Sequence, residues 1–472
     1  MRSVILGTRF FHWWHQLRQT FWFIPALITL VAGLCAQITL ELDEHLDWST
    51  YKGLGWIYSG SGEGASTLLS AIVGSMITAT SVTFSMTLVA LTLTASQYGP
   101  RLLHNFMRRP GSQIVLGTFL ATFTFSLMAL RSVQVNGDAA VVPHLSVTVA
   151  VGLALASVGV LIYFIHHVAK SIQADTIISQ VYGDLVASID RMFPEQIGRG
   201  PAEEQPSHAT SLAPEEVLRD RILREGRPVL SQSTGYLQAV DADGLLRLAE
   251  EQELVVLLHR RPGHFVTRNQ VIATVSPASE NSDDDELDRH VSESLILGQE
   301  RTSEQDVEFA ILQLVEVAVR ALSPGINDPH TAMRCLDWLA AALCRLSRRT
   351  PPDSRRFDRD GRLRVMAQRM SLTGLVDAAF HQIRQASAGK PALFIRLLEA
   401  MTSIAAQAED PDIRDALRHH ADMVWRESQR SVPEPSDRSD IERRYKRLSS
   451  DLARRMSGVE CGEDLGGSPQ SG

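Results

Sequence analysis

Asn327, Asp328 and Arg334 lie together in "SPGINDPHTAMR" (323–334). There Pro324-Gly325 breaks the chain, Asp328 suits the cap of a new helix, and Pro329 suits its first position, where a missing N–H costs nothing. A capped helix start presents free N–H groups and a partial positive charge, which suits an anion, and Arg334 sits one turn further in. The run therefore marks a candidate anion or partner site. The same residues also serve an ordinary stop and restart between two packed helices.

Other patterns promise less. No HExxH, Walker A, GxSxG or paired zinc-ligand spacing occurs. Cys35, Cys335, Cys344 and Cys461 lack CxxC spacing, so neither a zinc site nor a disulfide framework is expected; Cys335 and Cys344 read as ordinary helix residues in a reducing compartment. "GSGEG" (60–64) lacks the preceding strand and following lysine of a phosphate loop, and reads as a flexible loop. His166-His167 and His419-His420 are adjacent pairs. Neighbours on a helix point about 100° apart, so neither pair is expected to chelate one ion, and both read as interfacial or surface residues. Asp283, Asp284 and Asp285 lack the Gly and distal Glu of an EF-hand loop, and their acidic stretch reads as a solvated linker. With no nucleophile–base constellation, no enzyme, catalytic residue, cofactor or metal site is expected. The net charge of −8 comes mainly from the soluble part and does not suggest a nucleic-acid partner.

The remaining candidate is a surface. "ITATSVTFSMTLVALTLTASQYGPR" (77–101) carries nine Ser or Thr residues and no charge before its final arginine. On a wheel of about 100° per residue, Thr78, Ser81, Ser85, Thr92 and Ser96 fall within about 60°. Thr80, Thr83, Thr87 and Thr94 fall on roughly the opposite side. Small hydroxyl residues let membrane helices pack closely, and uncharged polar walls also line membrane conduits. The first stripe is the candidate pore lining and the second the candidate packing face.

These residues need a membrane element to hold them. A bilayer core takes about 20 apolar residues of helix, and four stretches qualify: Phe21–Leu40, Ala65–Ser96, Ser112–Leu130 and about Val141–Ile165. The second is too long for a core of about 30 Å, so it must tilt or project. Arg2, Arg9 and Arg18 precede the first span, and Arg101, Arg108 and Arg109 join the second to the third. The other short loops carry only Lys52 and Arg131, with Glu41, Asp43, Glu44, Asp47 and Glu63 in the first. Both termini are therefore expected in the cytoplasm, with Trp13, Trp14 and Trp22 in an inner aromatic belt and Trp48, Tyr51, Trp56 and Tyr58 in an outer one. Basic residues are almost all arginine, which points to a GC-rich bacterial genome and hence to an inner membrane. No ionisable group lies within the span cores, which argues against ion-coupled transport.

The expected fold class is an α-helical integral membrane domain of four transmembrane helices, followed by a cytosolic α+β region with a small β module and a mainly helical C-terminal domain. The boundaries read as a membrane domain at 1–170, a helical extension and linker at 171–228, the β module at 229–279, an acidic linker at 280–302, the helical domain at 303–456 and a disordered tail at 457–472. In the module, residues 235–275 read as strand, helix (Asp241–Glu250), strand, a turn at Pro262-Gly263, and strand. The run "RRPGHFVTRNQVIATV" looks like half of a biotinyl/lipoyl-type sandwich, but residues 171–389 contain no lysine to acylate. In the helical domain, Val307, Ile311, Leu314, Ala318 and Leu322 share one face. Ala332, Leu336, Leu339, Leu343 and Leu346 share another, and further helices are expected at about 371–388, 391–408, 410–429 and 436–455.

Four motifs in order, "FSMTLVALTLTASQYGPRLL" (84–103), "GYLQAVDADGLLRLAEE" (235–251), "RPGHFV" (261–266) and "LSPGINDPHTA" (322–332), resemble the domain-of-unknown-function family 2254 of predicted bacterial membrane proteins. The resemblance spans roughly 10–430. It implies four membrane helices and a cytosolic region, and carries over no activity. The functional expectation is a homo-oligomeric, channel-like pore whose cytosolic part assembles or gates it, with the lipid bilayer, other copies of the chain and an ion or small ligand as partners. The rival is a non-conducting membrane scaffold or sensor whose cytosolic part binds a partner or small ligand.

Overall fold

A computed structural model describes residues 22–45, 57–99, 110–133, 142–193, 215–277, 284–349 and 351–456. Arg2, Arg9, Arg18, Arg101, Arg108, Arg109 and Lys52, used for orientation, the belt residues Trp13, Trp14, Trp48, Tyr51 and Trp56, and the 457–472 tail lie outside the described residues. The chain divides into two compact units, Met1–Ile177 and Ile178–Gly472.

In the N-terminal unit, α1 (Phe23–His45), α2 (Gly62–Tyr98), α3 (Pro110–Ser132) and α4 (His144–Ser171) are all long and apolar enough to cross a membrane. Half of the α3 apolar window is buried, against 11%, 17% and 22% for α1, α2 and α4. Helix α3 is thus the post on which the other three pack. Phe119 and Phe125 are fully buried there. Gly117 brings α1 close, since a Cβ at that position would sit 3.1 Å from the Pro25 Cα. Thr122 and Ser157 share a hydrogen bond of 2.9 Å between α3 and α4. Leu30, Leu34, Val89, Leu155 and Ile162 face outward, as side chains bound for lipid do.

Asp43 has a structural task beyond its loop charge. Its carboxylate accepts from Leu145 N and Ser146 N at 2.9 Å each, and from Ser146 Oγ at 2.7 Å. An acid from α1 thereby caps α4. The "GSGEG" run is not a flexible loop: Ser61 caps α2, accepting from Gly64 N at 3.2 Å, and residues from Gly62 onward are helical. Glu63 in that first turn favours the helix dipole. At 37 residues, α2 is about 56 Å long at 1.5 Å per residue.

Periodicity after the fourth span suggests one continuing helix, but the helix breaks at Ile172-Gln173 and α5 (Ala174–Met192) begins anew. Its Val181, Leu185 and Ile189 are buried, and the Tyr182 ring lies 4.3 Å from that of Trp338.

The C-terminal unit continues with α6 (Glu215–Glu225), β1 (Arg227–Leu230), β2 (Gly235–Val240), α7 (Ala242–Glu251), β3 (Val255–Leu258), β4 (Phe265–Val266), β5 (Val271–Ser276), α8 (Asp284–Glu293) and β6 (Leu295–Gly298). Helices α9 (Val307–Ala321) and α10 (Pro329–Leu346) follow, then β7 (Arg355–Phe357), β8 (Leu363–Met366), α11 (Leu372–Ala386), α12 (Pro391–Ala405), α13 (Pro411–Ser431) and α14 (Pro435–Met456). One sheet has the order β1-β5-β3-β8-β7, with only β3 and β8 parallel, and the other has the order β4-β2-β6. Their shared core holds Leu237, Leu245, Val256, Ile272 and Val365.

Three expected boundaries change. From Asp284 onward the expected 280–302 linker is folded: Leu287 and Val291, one turn apart on α8, enter the core, while Asp288 pairs with Arg227 at 2.7 Å. The expected linker at 171–228 also contains α6 and the start of β1 among its described residues. The helical region, finally, lends the sheet β7 and β8. The helical stripes are where periodicity places them, with Ile311, Leu314, Leu336 and Leu339 fully buried.

Candidate functional site

Helix α2 separates its two hydroxyl stripes. Thr83 and Thr94 are buried, and Thr80 and Thr87 are half-buried, within the four-helix unit. Thr78, Ser81, Ser85, Thr92 and Ser96 all face outward. Thr78, Ser81 and Thr92 donate to the carbonyls of Gly74, Ile77 and Leu88 four residues back, at 3.1, 3.0 and 2.9 Å, and Ser96 donates to Leu93 at 2.9 Å. Each of these four hydroxyls has a partner even without water, so these positions tolerate a membrane while still offering oxygen lone pairs. Beside the stripe, Ser81 and Ser85 are the polar side chains in the wall of an open, otherwise apolar cleft of about 490 Å³ between α2 and the end of α4. Val89 and Leu93 line it on one side, Val168 and Ile172 on the other.

The second candidate resolves into capping. Asp328 accepts from Thr331 N at 3.1 Å and from Thr331 Oγ1 at 2.6 Å. These bonds, led by the one to the Thr331 hydroxyl, hold its carboxyl below the usual carboxylate range. Asn327 adopts φ +48°, and its N–H donates to Ser323 O at 2.8 Å while that of Asp328 donates to Ala321 O at 2.7 Å. Arg334 lies exposed on the first turns of α10. The start of α10 thus already holds the chain's own carboxylate in the place an anion would take. Asp328→Ala is expected to lower the stability of the C-terminal unit by about 1–2 kcal/mol, read by chemical denaturation, whereas Asp328→Asn, which can still cap, should keep most of that stability.

Two further clusters escape a reading of spacing alone. Asp306 caps α9 through Phe309 N at 3.0 Å while accepting from Arg301 Nε and Nη2 at 2.9 and 2.6 Å. Its side chain is 1% exposed. Burial raises its carboxyl above the ordinary value, against the pull of Arg301. Gly263, at φ +93°, lies directly against this pair.

The other cluster involves a histidine that proves not to be a surface residue. His420 is fully buried, and burial first of all holds its imidazole well below the usual value, at about 4. Adjacent His419 is exposed and belongs to a different face of α13, as the 100° spacing requires. His420 meets instead Asp377 and His381 of α11. The Asp-x-x-x-His spacing on α11 is visible in the sequence; its apposition to α13 is tertiary. In the N-terminal unit, His167 stacks on Tyr163 at 5.6 Å, and His166 is exposed. Cys335 and Cys344 are buried on α10, where burial pushes both thiols up.

Four long apolar helices joined in one chain to a separate unit of helices and small sheets define a multi-span predicted membrane protein with an appended α+β domain. The chain belongs to the predicted membrane protein family DUF2254, whose model matches residues 18–403. Uncharacterized proteins of Mycobacterium tuberculosis and Mycobacterium bovis are each 32% identical to it over 392 residues, covering 82% of this chain and 72% of theirs. No solved structure matches significantly.

Proposed function

We propose that this is a homo-oligomeric, channel-like protein of the bacterial inner membrane, in which the outward stripe of α2 lines a polar path between copies and the C-terminal unit, on the cytoplasmic side, assembles or gates it. One observation carries the reading: of two hydroxyl stripes on a single span, one is consumed in packing and the other, Thr78 to Ser96, is left facing out of the protomer. Packing between copies and lining a path are the two uses such a face has. The cleft between α2 and α4 beside Ser81 and Ser85 offers an apolar seat for a neighbouring helix. The absence of ionisable side chains from the span cores favours passive passage over coupled transport. The rival, a non-conducting scaffold or sensor, draws support from the C-terminal unit's own core and its candidate ligand cluster.

Accessibility separates the two readings. In a background with the native cysteines replaced by serine, Ser85→Cys and Thr92→Cys are expected to react with a membrane-impermeant thiol reagent, because a thiolate forms only where water reaches. Phe84→Cys and Leu88→Cys, on the flank, are expected to stay unreactive. Equal protection of all four positions would exclude a wet stripe.

A further inference from the structure

Helices α11 and α13 bring together three metal-ligating side chains that the sequence scatters. Asp377 and His381 stand one turn apart on α11, and His420 reaches them from α13. Asp377 Oδ1 lies 2.8 Å from His420 Nε2 and 3.4 Å from His381 Nε2. One ligand atom from each residue falls within a sphere of contacts no wider than 4.8 Å, and the two imidazole centroids are 4.6 Å apart.

A four-coordinate ion with bonds of about 2.0–2.1 Å sets its ligand atoms about 3.3 Å apart. The His381–Asp377 separation already meets that figure. The His420–Asp377 separation must open by about half an ångström, which Asp377 can supply because its side chain is 46% exposed. His420 has no such freedom. It is fully buried, with its Nε2 held against the Asp377 carboxylate at 2.8 Å and the His381 ring beside it. An imidazole fixed in the core, a carboxylate and a second imidazole thus converge on one point, the nitrogen and oxygen donor set that divalent transition ions take.

We propose that Asp377, His381 and His420 bind a first-row divalent transition ion of the zinc or cobalt type. Two imidazoles and one carboxylate suit such ions, whereas calcium and magnesium require oxygen donors. Three protein ligands leave one position open to water or a small anion. The ion ties α11 to α13 inside the C-terminal unit and gives that unit a chemical input. His420 lies beyond the residues matched to the family model, so family membership does not assign the site.

The test uses full-length protein in detergent, stripped of metal and titrated with Zn²⁺ by calorimetry and with Co²⁺ by visible absorption. Wild type is expected to bind one ion at this site, with the d–d spectrum of four-coordinate Co²⁺. His381→Ala is expected to weaken binding at least about a hundredfold and Asp377→Asn at least about tenfold, both with unchanged helix content, while His419→Ala binds as wild type. Because both substituted ligands are partly exposed, these variants keep the test clear of the folding defect that His420→Ala would risk. No binding by wild type, or equal affinity in wild type and His381→Ala, would overturn the site.

Discussion

Gly263→Ala is expected to destabilise the C-terminal unit by about 5 kcal/mol. Left-handed backbone costs an alanine about 1–2 kcal/mol. The added Cβ at φ +93° would also enter the space of the Asp306 carboxylate and lie 2.8 Å from Arg301 Nη2. Prising apart a buried, hydrogen-bonded ion pair costs about 3–5 kcal/mol, and here the same carboxylate caps α9. Typical domains have only about 5–15 kcal/mol in hand. Gly325→Ala is the matched control, because a Cβ there meets nothing within 4 Å. Denaturation monitored by circular dichroism should place Gly325→Ala beside wild type and Gly263→Ala far below it. Equal midpoints for the two variants would show that the Pro262-Gly263 turn does not depend on the Arg301–Asp306 pair.

The second large effect is a contrast along α2. Thr83 is 2% exposed, so Thr83→Leu forces extra methylenes into a packed face. Overpacking of this kind costs about 1–3 kcal/mol, and the expected result is reduced yield of folded protein. Ser85 and Thr92 face outward, so Ser85→Leu and Thr92→Leu should fold normally in detergent and lose most of any current, since leucine replaces a polar wall with an apolar plug. Chromatographic yield and bilayer current, measured on the same preparations, distinguish the two faces. Normal current in Ser85→Leu together with normal folding of Thr83→Leu would mean that neither stripe has the role given to it.

Elements that bury a regular apolar face were legible in the sequence. The four long apolar helices, the stripes on α9 and α10, the cap at Asp328 and the strands on either side of Pro262-Gly263 all follow from period, punctuation or both. Elements whose polar residues are satisfied only in three dimensions were not. Strand β8 is only four residues long and carries a charge, Arg364, which is buried and bonded to Asp358 at 2.7 Å. Helix α8 hides two core residues among acids. Asp43 looks like a loop charge until α4 starts beside it. The stripe on α2 was legible as a pair of arcs; which arc packs depended on where α3 lies. The Asp377–His381–His420 cluster needed two helices brought together, and its only linear trace is a four-residue spacing on α11.

Conduction through the outward stripe is tested most directly by recording from purified wild-type protein in planar bilayers under voltage and pressure ramps. Discrete current steps that Thr92→Leu suppresses are the expected result. Electrically silent bilayers containing demonstrably inserted, folded protein would contradict it and leave the scaffold or sensor reading in its place.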